Sequence, residues 1–209
     1  MKCSSVLSVP LWLIFLGLFP AAAQETPERA HQDREILYEL QALDTHAFRI
    51  THDYTESRAG TSVYLNIVRA GSHVKDPESF DLDTGRPLKW EVLSGKECKV
   101  RGIGPANLAD DAEVVVTHYE HPIAAGTSTR IRLKETYVDA ASYYVKDGEL
   151  VWDRTFGRPR NLLALPAGWR LTESLAPATV ATLADGRVLL TFLNPRNDEL
   201  RVLIRARRR

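Results

Sequence analysis

The sequence predicts a mainly β fold: an antiparallel β-sandwich, or two small sandwiches packed together, with one short N-terminal helix. Three observations point there. From residue 46 onward apolar residues recur with period two, the mark of strands with one buried face. Turn signals recur at short intervals, among them Asp147-Gly148 and Asp185-Gly186, pairs that suit the left-handed backbone of tight hairpins. No helix-period segments alternate with the strands, as a parallel α/β sheet would require.

Taken in order, residues 1–23 read as an address. Lys2 supplies a positive start, 9–19 an apolar stretch, and Ala21, Ala22 and Ala23 the small side chains of a cleavage site before Gln24. The apolar stretch falls short of the ~20 residues of a membrane span. Retention as an uncleaved anchor is the competing reading. Residues 24–45 follow as an amphipathic helix and linker. Thr26 suits the N-cap, Pro27 the first helical position and Glu28 the first turn. Ile36, Leu37, Leu40 and Leu43 form its apolar stripe.

The β-sandwich region spans 46–209. In 46–54, Phe48, Ile50 and Tyr54 point one way, and Arg49, Thr51 and Asp53 the other. Val63, Leu65 and Ile67 repeat the pattern. Further strands are expected at 88–93, 97–101, 113–119, 129–137, 142–145, 149–154, 170–173, 179–183, 187–193 and 199–206. A sub-boundary near 138–142 interrupts the pattern. The piece beyond it, about 70 residues, is marginal for independent stability, which favours one cooperative unit.

Composition excludes several functions. Lys plus Arg number 27 and Asp plus Glu 27, so the balanced chain is not a nucleic-acid binder. Of two cysteines, only Cys98 survives removal of 1–23. One thiol closes no internal disulfide, and Cys98 reads as a small hydrophobe on a strand. No phosphate loop, zinc helix, nucleophile elbow or C-x-x-C is present, and no cofactor is implied. Asp83-Thr84-Gly85 reads as a turn. As half of an aspartic protease dyad it lacks a second copy, and Arg86 beside it would hold the carboxylate ionised. As a calcium loop starting at Asp81 it needs an acid at the twelfth position, where Val92 stands.

Two constellations remain. If the strands carrying His52 and His118 were neighbours, His52, His118 and Glu120 would offer zinc two imidazoles and a carboxylate with a water position left open. The plainer reading is partly buried histidines with local hydrogen bonds. The second is an Arg/aromatic stretch: Trp152, Arg154, Arg158 and Arg160, with Tyr144 before it and Trp169 after. Guanidinium forks take carboxylates, phosphates or acidic sugars, and aromatic faces stack on sugar rings. Against it, Trp is usually buried, and arginines commonly brace loops.

The leading expectation is therefore an exported, secreted or periplasmic, non-catalytic immunoglobulin-like β-sandwich that binds a protein, peptide or glycan partner. It has no nucleic acid partner and no membrane span once the leader is removed. The alternatives are a metal-dependent hydrolase built on the His/Glu set and a structural accessory domain of an envelope complex.

Overall fold

A computed structural model describes residues 34–196 and 198–209. These form fourteen strands and one short α-helix, so the chain is mostly β with several antiparallel sheets. The strands are β1 (Arg34–Leu40), β2 (Ala47–Glu56), β3 (Val63–Ile67), β4 (His73–Asp81), β5 (Trp90–Ser94), β6 (Glu113–His118) and β7 (Thr129–Val138). There follow β8 (Tyr143–Lys146), β9 (Glu149–Phe156), β10 (Arg160–Ala164), β11 (Trp169–Ser174), β12 (Thr179–Thr182), β13 (Val188–Leu193) and β14 (Leu200–Arg208). The helix, α1, spans Gly95–Val100. No described helix is long and apolar enough to cross a membrane.

A seven-stranded sheet runs β12-β13-β10-β1-β2-β7-β4, a four-stranded one β11-β14-β9-β8, and a three-stranded one β3-β6-β5. Every pairing is antiparallel except β1 with β10.

One face of the large sheet carries the shared core. Phe48, Ile50, His52 and Tyr54 of β2 lie in register with Leu40, Tyr38, Ile36 and Arg34 of β1, and with Tyr137, Glu135, Leu133 and Ile131 of β7. The four-stranded sheet packs on one half of this face. Trp152 of β9 meets Phe48 edge-on at 4.8 Å, and Phe156 stacks on Tyr38 at 4.9 Å. The three-stranded sheet packs on the other half, where Tyr64 joins Tyr54, Ile131 and Leu133. Its far face is closed by α1 and the loop after it, through Leu93, Cys98, Leu108, Val114 and Val116.

Three expectations change. Residues 34–40 are a strand, not the helix predicted for 24–45. Ile36, Tyr38 and Leu40 satisfy period two as well as Ile36 and Leu40 satisfy the helical spacing, and strand partners on both sides decide. Residues 97–101 were expected as a strand, yet Gly95–Val100 is the described chain's one α-helix. Ser94 and Glu97 cap each other's backbone there as an S-x-x-E capping box. Gly95 is required, because a Cβ on it would sit 1.9 Å from the carbonyl oxygen of Ala109. Two strands, β4 and β10, carry too little apolar alternation to be read from sequence. β4 is a polar edge strand with Pro77 and a bulge between Lys75 and Glu78, features that blunt a sheet edge. The predicted leader, 1–23, and residues 24–33 of the predicted helix lie outside the described residues.

The Asp147-Gly148 hairpin forms as expected. Both residues have positive φ, 52° and 76°, which joins β8 to β9 with a two-residue turn.

Candidate ligand-binding cleft

The two small sheets do not meet over the large one. Between them lies an open cleft of about 440 Å³. Its floor is Ile36, Tyr38, Ile50 and Tyr137 of the large sheet. The end of β3 and the loop after it form one wall, with Asn66, Val68 and Arg69. The other wall comes from β9 and the turn into β10, with Arg154, Thr155 and Arg158. Arg69 ties the walls together: its Nη2 donates to the carbonyl and the hydroxyl of Thr155, at 3.0 and 2.7 Å.

The three cleft arginines differ in their partners. Arg154 is buried and gives Nη1 to Asp139 Oδ2 at 2.7 Å, with its guanidinium over the rings of Phe48 and Tyr137. Burial pushes the Asp139 carboxyl up. Hydrogen bonds from Ser142 and the charge of Arg154 outweigh that and leave it below its ordinary value. Arg69 is committed to Thr155. Arg158 is half-buried, and its side chain makes no hydrogen bond or ion pair among the described residues; only its backbone carbonyl is used, by Asn161. Its charge nevertheless reaches Tyr38, His52 and Tyr64.

Beside the floor lie buried polar groups whose hydrogen bonds are unmet among the described residues. Glu135, 2% exposed, pairs in register with floor residue Ile50, and His52 and Asn161 pair with floor residue Ile36. Glu135 Oε2 accepts from Asn66 Nδ2 at 2.7 Å, while Oε1 has no partner. His52 Nδ1 lies 3.3 Å from the Tyr64 hydroxyl, and Nε2 has no partner. Asn161 Oδ1 is likewise unpartnered. Burial holds the His52 imidazole well below its usual value, helped by the charges of Arg158 and Arg34, so His52 is neutral.

Burial raises Glu135 to about 7, against the opposing hydrogen bonds of Asn66 and Tyr137. The native state therefore keeps a proton that the unfolded chain releases near its ordinary value of 4.5. Stability falls as pH rises between those two values and levels off above about 7. The whole difference is on the order of 3 kcal/mol. Glu135→Gln keeps an oxygen for Asn66 and removes the titration. Urea denaturation from pH 4 to 8 should show the variant gaining on the native protein as pH rises; parallel curves for the two would refute this.

The sequence-derived candidates are dispersed. Trp152 is core, fully buried between the four-stranded and large sheets. Arg160 lies outside the cleft lining, near Glu35 at 3.7 Å. Trp169 sits on β11 of the same four-stranded sheet, under Arg208 and within the same core cluster as Trp152, and Tyr144 is half-buried on β8. Only Arg154 and Arg158 reach the cleft. The residues of the expected metal set each have other neighbours. His52 faces the core beside Tyr64, His118 Nε2 bonds Glu91 at 3.0 Å, and Glu120 pairs with Arg86 at 2.7 Å. Among the described residues no three His, Cys, Asp or Glu side chains are grouped to hold a metal. Sequence reasoning missed Asn66 and Glu135. The signal for Glu135 was an acid at an inward position between Leu133 and Tyr137.

No protein-family profile and no curated protein sequence matches the chain. Distant likenesses to solved structures exist. An M1 zinc metallopeptidase from Deinococcus radiodurans aligns over 82% of this chain and 41% of its own, at 13% identity and a TM-score of 0.48. An aminopeptidase N family protein from Idiomarina loihiensis aligns over 82% and 29%, at 12% identity and a TM-score of 0.44. A protein from Legionella pneumophila, described as nutrient-binding, aligns over 83% and 65%, at 9% identity and a TM-score of 0.47. The chain thus spans less than half the length of either peptidase. Likenesses this distant leave function to the chain's own residues.

Proposed function

We propose that the protein is a non-catalytic β-sandwich binding module, exported to the periplasm or beyond, that holds its ligand in the cleft between the two small sheets. One observation carries the reading. An open cleft of about 440 Å³ presents Arg158, whose side chain has no hydrogen-bond or ion-pair partner among the described residues, above a floor of aliphatic and tyrosine side chains. Both its size and its mixture of apolar surface with a few polar groups are those of small-molecule sites. Export rests on the leader-like residues 1–23. That His52, His118 and Glu120 bond to Tyr64, Glu91 and Arg86 respectively supports a binding module over the hydrolase alternative.

The test is amide chemical-shift mapping of the purified protein with a fragment set of acids, amines, sugars and neutral aromatics. Binding fragments should move the amides of Asn66, Arg69, Thr155 and Arg158 together. Shifts confined to other surfaces, or none in the cleft with any fragment, would overturn the reading.

A further inference from the structure

A second groove, of about 580 Å³, shares no lining residue with the cleft. Leu43, Val145, Pro166 and Trp169 belong to its lining, which is apolar except for two charged residues, Asp44 and Arg208. We infer that this groove binds a short apolar peptide by both of its ends, the terminal ammonium held by Asp44 and the terminal carboxylate by Arg208. Three features select that class. First, neither charged side chain makes a hydrogen bond or ion pair among the described residues, with the other or with any third residue. The next arginines along β14 are committed: Arg205 and Arg207 reach Glu149 at 3.4 and 2.7 Å. A ligand with one charge meets a like charge at one end of the groove, whereas a zwitterion satisfies both. Second, the Arg208 guanidinium lies over the Trp169 ring, 5.4 Å from its centre, and Trp169 itself is buried. Stacking uses the face of the guanidinium and leaves its N–H edge for a carboxylate. Third, the span fits a peptide. The turn carrying Asp44 is tied to β8, where the Tyr143 hydroxyl donates to the Gln41 carbonyl at 2.7 Å and His46 Nδ1 lies 2.8 Å from the Tyr143 carbonyl oxygen. Arg208 ends β14, and β9 separates β14 from β8. Two strand spacings of ~4.8 Å put the charged walls roughly 10 Å apart, the length of three extended residues at ~3.3 Å each. A free amino acid is too short to touch both, and the apolar lining between them takes the side chains.

Calorimetric titration with four probes tests each end: the tripeptide Leu-Ala-Leu, its N-acetylated form, its C-amidated form and free leucine. The free tripeptide should bind roughly tenfold or more tightly than each of the other three, the worth of one charge-assisted hydrogen bond. Arg208→Gln should weaken the free tripeptide by a similar factor and erase its advantage over the amidated form. Asp44→Asn should erase its advantage over the acetylated form. Both variants should keep the native melting temperature, and the bound tripeptide should move the amides of Leu43, Asp44, Ala167 and Trp169. No tripeptide binding, blocked peptides or leucine that bind as well as the free tripeptide, or variants that keep the native preferences would each refute the inference. Shifts confined to Asn66, Arg69, Thr155 and Arg158 would refute it too, while supporting the cleft as the binding site.

Discussion

Asp139→Ala should cost roughly 3–5 kcal/mol of unfolding free energy, because it strands a buried guanidinium. Asp139 follows directly on β7, and Arg154 lies on β9, so their bond ties the large sheet to the four-stranded one. The arginine side chain is 5% exposed and so is the carboxylate. The carboxylate also accepts from the Ser72 and Ser142 hydroxyls, at 3.0 and 2.7 Å, and from the Ser142 amide at 3.0 Å. All of these donors lose their acceptor together. Arg154→Met in the same chain should recover much of the loss, since the double variant no longer holds an unpaired charge and methionine fills the space under Phe48 and Tyr137. Urea midpoints of the two single variants and the double variant decide it. A loss below about 1 kcal/mol in Asp139→Ala would mean that water already solvates the pair.

Trp152→Ala should cost a similar 3–5 kcal/mol, by leaving a cavity where the two sheets interlock. The indole is fully buried, with Tyr38 at 5.5 Å, Phe48 at 4.8 Å and Phe156 at 6.4 Å between ring centres. Trp152→Phe should cost far less than the alanine change. The indole Nε1 has no hydrogen-bond partner among the described residues, so phenylalanine keeps an aromatic ring while removing an unmet donor. Thermal unfolding of the pair checks this, at about 2–4 °C per kcal/mol for a chain of this size. An alanine variant as stable as the phenylalanine one would show that the site collapses to fill its own cavity. Because Trp152 sits on the same strand as the cleft wall residues Arg154 and Thr155, the alanine variant should also blunt the cleft's response to bound fragments.

The β character and most strand positions were legible because alternation and hairpin turns are local properties. Phe48-Arg49-Ile50 and Asp147-Gly148 declare themselves within a few residues. What escaped depends on distant neighbours. Residues 34–40 satisfy two periodicities, and only β2 and β10 on either side select the strand. The polar, bulged β4 survives as an edge because β7 supplies its partner. The candidate site was harder still. Arg154 and Arg158 stand four apart in sequence with similar surroundings, yet one is claimed by Asp139 and the other is left open to the cleft. Nothing local distinguishes them, because the deciding carboxylate sits 15 residues away in the sequence. Trp152 and Trp169 were grouped as ligand-stacking aromatics, but both enter the same buried core cluster and neither lines the cleft.

The parallel pairing of β1 with β10 has a consequence for assembly. The first described strand lies mid-sheet, hydrogen-bonded on one side to the hairpin partner that follows it and on the other to a strand from far along the polypeptide. Until residues 160–164 have been synthesised, β1 exposes a bare row of amides and carbonyls. Closing that long loop is entropically slow, so the nascent chain spends time with an open, sticky margin before the sheet is sealed.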